Sequence, residues 1–365
     1  MQKSLNNTKL KTSWIYPINV KNEFVFNPST KDFIVDEIPL YEFTGEGEHL
    51  VLKVRKKDLT TWEMLDIISS HLGIKKRDIG YAGLKDKNAM TMQYISIMAK
   101  YEDKLESFSH SKIKIVEKVR HNNKIRVGHL KGNKFHIRLK RVFAINKAKL
   151  ESSLQWISNN GVPNYFGHQR FGRDGNNWID GKKLIDGELK IRDRKTKDFL
   201  INSYQSYLFN NWLSKRIEIS LLLSDFSEKD SEKVLNLEEN SLEGCKQQEQ
   251  FLKIIKGDLM MHYPYGRVFD VEDLQTEAQR FKERDISPTG LLAGGRVKTS
   301  SSYAWDIEKN YDAKTNATGS RRYAWIFVND IEGNYNEDKN WYELSFTLPK
   351  GSYATNVLDV LRGGK

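Results

Sequence analysis

Residues Gly80–Gln93 read GYAGLKDKNAMTMQ. Apolar, strand-like residues flank a short polar loop, Ile79–Ala82 before it and Met92–Met98 after it. This pattern predicts a loop fixed between two strands. The loop holds one acid, Asp86, between Lys85 and Lys87. Nearby positive charge favours the ionised form of a carboxyl group. An ionised carboxylate on a loop fixed by two strands is a candidate nucleophile. The same three residues also suit an ordinary solvated turn, so the rest of the chain has to decide between the two readings.

Working outward, residues 24–60 read as short strands and turns. Phe33–Ile38 is followed by a Gly-rich acidic turn, Gly45–His49, and then by an apolar/basic alternation, Leu50–Arg55. Thr60 or Thr61 can cap a helix whose Trp62, Leu65, Ile68 and Leu72 are spaced for one face. Glu63 lies in the first turn, where negative charge is favoured, and Gly73 is placed to end the helix. Residues 112–141 alternate three times (112–116, 124–127 and 135–140) with turns at 121–123 and 131–133, which predicts an antiparallel meander with one apolar and one basic face. From about residue 189 helical patterns dominate, at Phe199–Ile219 and Asp230–Gln250. Ser300–Ser320 reads as a loop. Trp341–Leu348 reads as a last strand before a short helix, Ala354–Leu361. Strand-rich ends around a helix-rich middle suggest an inserted domain.

The 365 residues suit two compact units. Apolar residues make up 38% of the chain, including 17 Phe, 16 Tyr and 8 Trp, enough for sizeable cores rather than disorder. Cys245 is the single cysteine, which excludes an intrachain disulfide and a cysteine-based zinc site. With a polar start, MQKSLNNTKLKTSW, and no membrane-length apolar run, this points to the cytoplasm and to no membrane association. The net charge is +11, and its location is informative. Residues 101–150 carry 14 basic and 4 acidic side chains, a net of +10, whereas residues 151–365 carry 30 and 32, a net of −2. Such concentration is the footprint of a polyanion binder. No phosphate loop is present: Gly175 to Gly181-Lys182 has one residue too many and ends on Lys183. The eight histidines form no His-x-x-x-His pair, and no Gly-x-Ser-x-Gly elbow occurs. Chemistry driven by a nucleotide cofactor, a metal or an activated serine therefore has little support.

Asn164–Gly172 (NYFGHQRFG) gathers aromatics and an arginine around two glycines. Aromatics beside arginine can stack on a nucleobase and bind phosphate; a strand end with core aromatics would look the same. In order along the chain come DFIVDEIP (Asp32–Pro39), GEGEHL (Gly45–Leu50), the Gly80–Gln93 loop, RHNNKIRVGHLKGNKF (Arg120–Phe135), VPNYFGHQRFG (Val162–Gly172), SYQSYLFNNWLSKR (Ser203–Arg216), PTGLLAGG (Pro288–Gly295), GSRR (Gly319–Arg322) and LPKGSYATNVL (Leu348–Leu358). Together these segments resemble the TruD family of tRNA pseudouridine synthases over nearly the whole chain.

The resemblance implies an α/β (α+β) fold: a pseudouridine synthase core with a mixed, largely antiparallel sheet and flanking helices, from residues 1–188 and 318–365. Residues 189–317 would form the family's inserted α/β domain, with RNA held in a cleft between the two. It implies a cofactor-free and metal-free isomerisation of a tRNA uridine, at position 13 in the D-arm. The protein is expected to work as a monomer. Asp86 matches the catalytic aspartate, Phe166 the aromatic that stacks on the flipped base, and Asn164 the amide that supports the active-site loop. Lys85, Arg170 and Arg173 are further substrate-binding candidates. Lys124, Arg126, Lys131, Lys134, Arg321 and Arg322 are candidates for the RNA backbone. The chain departs from the family at Asn27, where many relatives have a lysine, which leaves open the cation that positions Asp86. It departs again at Asp359-Val360, where relatives have Arg-Glu. A structured-RNA-binding protein or RNA chaperone without chemistry would use the same basic patch but give Asp86 no role. A nucleoside hydrolase-like enzyme would release the base.

Overall fold

The structure is a computed structural model and describes residues 14–18, 20–313, 315 and 317–363. The polar start, Met1–Ser13, lies outside the described residues. Contacts divide the described residues into two compact units, one of residues 22–159 with 327–354, the other within 160–326 with the described parts of 14–21 and 355–363. The borders expected near 188/189 and 317/318 both lie inside the second of these.

The first unit is built on an eight-stranded sheet. Its strands are β1 (Phe33–Pro39), β2 (His49–Lys57), β3 (Gly80–Tyr81), β4 (Met90–Met98), β5 (Ile113–His121) and β6 (Leu130–Lys140), with β13 (Asn329–Asn336) and β14 (Trp341–Pro349) returning from the end of the chain. The order is β13-β14-β6-β1-β4-β2-β5, and β3 pairs with β4. Among the described residues only the β1–β4 pairing is parallel, so the sheet is mixed and largely antiparallel. Helix α1 (Thr61–Leu72) starts where expected. Thr60 and Glu63 close a capping box, and Gly73 ends the helix in the left-handed region. Its Met64, Leu65, Ile68 and Leu72 share one core with Leu50, Leu52 and Val54 of β2 and Ile95 and Ile97 of β4. Trp62, expected on that face, is exposed and packs edge-on against Tyr81 instead. Helix α2 (Ala144–Asn160) follows β6 and buries Leu150, Leu154 and Ile157.

The expected basic meander is not formed. β5 lies at the sheet edge beside β2, while β6 lies inside it between β1 and β14. Residues 124–127 are a loop rather than a strand. The Ile125 side chain is buried and its N–H bonds to Ser96 Oγ at 2.8 Å, so this segment is fixed against β4 from outside the strand ladder.

The second unit contains β7 (Val162–Pro163), α3 (Asn177–Ile185), the long α4 (Arg194–Asp225), α5 (Glu228–Leu235), β8 (Leu259–His262), β9 (Val268–Asp270), α6 (Leu274–Lys282), β10 (Ile286–Leu292), α7 (Ser302–Glu308), β11 (Ser320–Tyr323), β12 (Trp325–Ile326) and most of α8 (Ala354–Leu361). Four strands form a sheet in the order β11-β10-β8-β9. α4 presses on β10 so closely that a Cβ at Gly290 would lie 2.2 Å from the Trp212 ring. Arg216 of α4 makes a buried two-pronged pair with Asp258, at 2.6 and 2.7 Å. The helix expected over Asp230–Gln250 stops at Leu235. There Asn236 turns left-handed, and the buried Glu232 takes the N–H groups of Asn240 and Leu242. The segment expected as a loop, Ser300–Ser320, contains α7, held by the Ser300 N–H on Glu308 at 3.0 Å. No helix among the described residues is long and apolar enough to cross a membrane.

Candidate active site

Asp86 is exposed, in the loop between β3 and β4. The first turn of α1 grips that loop from both sides of the acid. The Lys85 N–H donates to Thr61 Oγ1 at 2.9 Å, and Thr61 Oγ1 donates on to Gln93 Oε1 at 3.1 Å. Lys87 Nζ meets Glu63 Oε1 at 3.1 Å. Glu63 Oε2 takes the Thr60 N–H at 2.6 Å, and the Glu63 N–H donates to Thr60 Oγ1 at 3.1 Å. Those bonds to Thr60 and to Lys87 pull the Glu63 carboxyl down to about 2, so it stays ionised throughout the working pH range.

Lys85 does not spend its ammonium on Asp86. Its Nζ lies 2.6 Å from Glu37 Oε2 and 2.6 Å from Asn133 Oδ1, and the Lys85 and Glu37 side chains are 5% and 0% exposed. Burial pushes the Glu37 carboxyl up, and Lys85 and the Tyr94 N–H pull against it. Lys85 thus ties the loop to β1 and β6.

The cation beneath Asp86 is Lys56, at the end of β2. Its Nζ donates to the Asp86 carbonyl at 2.8 Å and to the Leu59 carbonyl at 2.7 Å, and the residue is fully buried. Burial brings its ammonium down from 10.5 to about 8, while Asp86 pulls it back up. Sequence reasoning missed this residue, although a signal was there. In a strand of period two, Lys56 falls in phase with Leu50, Leu52 and Val54, and out of phase with Lys53, Arg55 and Lys57. A lysine on the apolar face of a strand must find acceptors inside. Asn27, the first of the two expected departures from the family, is exposed.

A second cluster belongs to the other unit. Asn164 is buried; its Nδ2 donates to the Tyr323 carbonyl at 3.0 Å and its Oδ1 accepts from Arg322 at 2.7 Å. Arg322 Nε also donates to the Asn164 carbonyl at 3.1 Å, and its guanidinium lies 4.0 Å from the centre of the Phe166 ring. Arg170 lies 5.1 Å from the same ring. The Phe166 main chain is clamped by Asn210, which accepts its N–H at 2.8 Å and donates to its carbonyl at 3.0 Å. Phe166 is only 4% exposed and meets Phe209 edge-on. The structure therefore brings together Asn164, Phe166, Arg170 and Arg322, and places Asp86, Lys85 and Lys56 in a separate group.

The remaining candidates divide. Arg126, Lys131 and Arg173 are exposed, and Lys124 and Lys134 are half-buried, with Lys124 Nζ donating to the Arg77 carbonyl at 2.6 Å. Arg321 faces inward. It donates to Glu308 at 2.9 Å and to the Thr289 carbonyl at 2.6 Å, with the Arg321 and Glu308 side chains 4% and 2% exposed. Its guanidinium is buried on these partners, which keeps it from a phosphate outside. Asp359 makes a looser pair with Arg362, at 3.7 Å.

An exposed carboxylate on a loop bonded to three elements, above a buried ammonium, can attack or take a proton without first being ordered. The sequence profile of tRNA pseudouridine synthase D (TruD) matches residues 25–192 and 189–360. The chain is 52% identical over 338 residues to tRNA pseudouridine synthase D of a Nitratiruptor species, covering 92% of this chain and 94% of that one. It is 50% identical over 337 residues to that of Sulfurimonas denitrificans, with the same coverage, and 46% identical over 363 residues to that of Helicobacter pylori, covering 95% of each. Its fold matches the crystal structure of a Methanosarcina mazei protein assigned to tRNA pseudouridine synthase D, with a TM-score of 0.71 and 21% identity over 95% of each chain. The chain belongs to the tRNA pseudouridine synthase D (TruD) family of isomerases.

Proposed function

We propose that this enzyme converts a uridine of tRNA, at position 13 in the D-arm, to pseudouridine through Asp86. The observation that carries this reading is the exposed Asp86 on a loop clipped to α1, β1 and β6, at the point where the family's motif has its aspartate. Asp86 begins the break between uracil N1 and ribose C1′. The uracil turns within the site, and C5 bonds to C1′. C5 gives up its proton and N1 gains one, so the product is an isomer and needs no cofactor. Lys56 holds the Asp86 main chain in place. Phe166, backed by Asn164, Arg170 and Arg322, serves the flipped base, and Arg173 with Lys124, Arg126, Lys131 and Lys134 serves the phosphates. Flipping costs roughly a few kcal/mol, which those phosphate contacts offset. Arg321 is left out because its guanidinium is buried on Glu308. The enzyme acts as a cytoplasmic monomer.

The test is to map pseudouridine in total RNA from cells with and without the protein, then to add back wild type and Asp86→Asn. Asp86→Asn is expected to bind tRNA within about tenfold of wild type, or roughly 1.4 kcal/mol, and to make no pseudouridine, with wild type active in excess EDTA. Turnover by Asp86→Asn would sink the assignment.

A further inference from the structure

Beside the loop that joins β5 to β6 lies a cavity of about 440 Å³, within the range of small-molecule sites. Two of its walls are aromatic. The Tyr41 and His129 rings meet at 71° with centres 5.6 Å apart, and the Tyr41 hydroxyl and His129 Nδ1 are 2.9 Å apart. His121 lies against Tyr41, with ring centres 5.1 Å apart and planes 27° apart, which fixes that ring in place. Lys124 and Arg126 supply positive charge on the same lining. Glu42 and Asn123 complete it.

We infer that this cavity binds one unpaired nucleotide of the RNA substrate, next to but distinct from the uridine that reacts. The inference rests on the tRNA reading above. Two rings inclined at 71° offer a stacking face, which an unstacked base can occupy and a paired one cannot. Lys124 and Arg126 suit the flanking phosphates. Glu42 would repel a bare phosphate or an acidic peptide, but it can accept from the amino or imino hydrogens of a base edge. The placement also fits. The Gly128 N–H, in the loop that carries Arg126 and His129, donates to the Ala82 carbonyl at 2.8 Å. Ala82 precedes Asp86 by four residues, at most about 14 Å of extended chain. A nucleotide held here is therefore within a short stretch of RNA from Asp86.

The experiment uses the full chain and a pool of unmodified tRNA transcripts. Affinity and melting temperature are measured for wild type, Tyr41→Leu, Tyr41→Phe and His129→Ala, and ultraviolet cross-links to wild type are mapped by mass spectrometry. Loss of one stacked base should weaken binding at least about fivefold in Tyr41→Leu and His129→Ala. Tyr41→Phe should stay close to wild type, and a nucleotide should cross-link to the peptide holding Tyr41 or His129. Affinities of Tyr41→Leu and His129→Ala within about twofold of wild type, or no cross-link at this cavity, would overturn the inference. If the variants unfold, the cross-link in wild type decides alone. Wild type that cross-links here yet makes no pseudouridine would remove the proposed reaction and keep the site; wild type that is active without the cross-link would do the reverse.

Discussion

Replacing Lys56 with methionine tests how the Asp86 loop is held. The side chain is fully buried, and its ammonium spans the carbonyls of Asp86 and Leu59 at 2.8 and 2.7 Å. Lys56→Met removes both bonds at once. An orphaned buried carbonyl costs about 1–3 kcal/mol, in full for Leu59 and in part for the half-buried carbonyl of Asp86. Relief of the buried charge, strained enough to bring its ammonium to about 8, offsets part of this. A net loss of about 1–3 kcal/mol is expected. The catalytic effect should be larger, because a shift of about 1 Å in a reacting group can cost roughly a hundredfold. Single-turnover isomerisation should fall by about that factor, with tRNA affinity nearly unchanged. The pH dependence supplies a second reading. In the folded protein the ammonium loses its proton near 8, below the 10.5 of an ordinary lysine. Wild-type rates should therefore fall as pH rises past about 8, and the Lys56→Met rate should lose that step. Stability moves the other way. Between about 8 and 10.5 the unfolded state holds the extra proton, so wild type should gain stability with rising pH relative to Lys56→Met. A Lys56→Met enzyme within about threefold of the wild-type rate, with the same alkaline limb, would refute the reasoning.

Three further outcomes are expected. Phe166→Ala should cost about 3–5 kcal/mol in chemical denaturation, as the ring is buried between Arg322 and Phe209; Phe166→Leu should recover most of that stability but not the single-turnover rate, and a rate that merely tracks stability would end its stacking role. Glu37→Gln should cost about 3–5 kcal/mol by leaving the Lys85 ammonium buried without its counter-ion, and a loss below about 1 kcal/mol would show that the pair is dispensable. Neutralising Lys124, Arg126, Lys131 and Lys134 together should flatten the dependence of log affinity on log salt by up to about 3.6, at roughly 0.7–0.9 for each phosphate left without its cation. Filter binding over a salt series checks this against the same number of changes at Lys215, Lys229, Lys233 and Lys246, which should do little.

Local signals carried much of the fold. The threonine and glycine that bracket α1 act within their own turn, and the strands around Asp86 and at Trp341–Pro349 show their periods directly. Pairing was less legible. β5 and β6 look like hairpin neighbours because each alternates, yet they take partners from distant segments, and alternation does not say which edge a strand will find. The helix expected through Gln250 failed because Glu232 satisfies loop amides from within the unit, a tertiary demand that outweighs helical period. Asp86, Phe166 and Asn164 stand in short motifs that are visible in the sequence. Lys56 is hard to see because its neighbours Lys53, Arg55 and Lys57 make a basic run look like a solvated face. Arg321 looks like a phosphate ligand in the sequence because its buried partner 13 residues earlier, Glu308, leaves no mark beside it.

The clips between α1 and the Asp86 loop set when the cost of order falls due. Fixing one residue's backbone costs about 1–2 kcal/mol, and the loop from Lys85 to Lys87 meets that cost as the helix folds, through Thr61 and Glu63. Fraying of the first turn of α1 would release the acid as well. The amides of Thr60, Glu63 and Lys85 should then exchange with solvent in one shared opening, slower than the exposure of Asp86 suggests, and an RNA that closes over the loop should slow all three by the same factor.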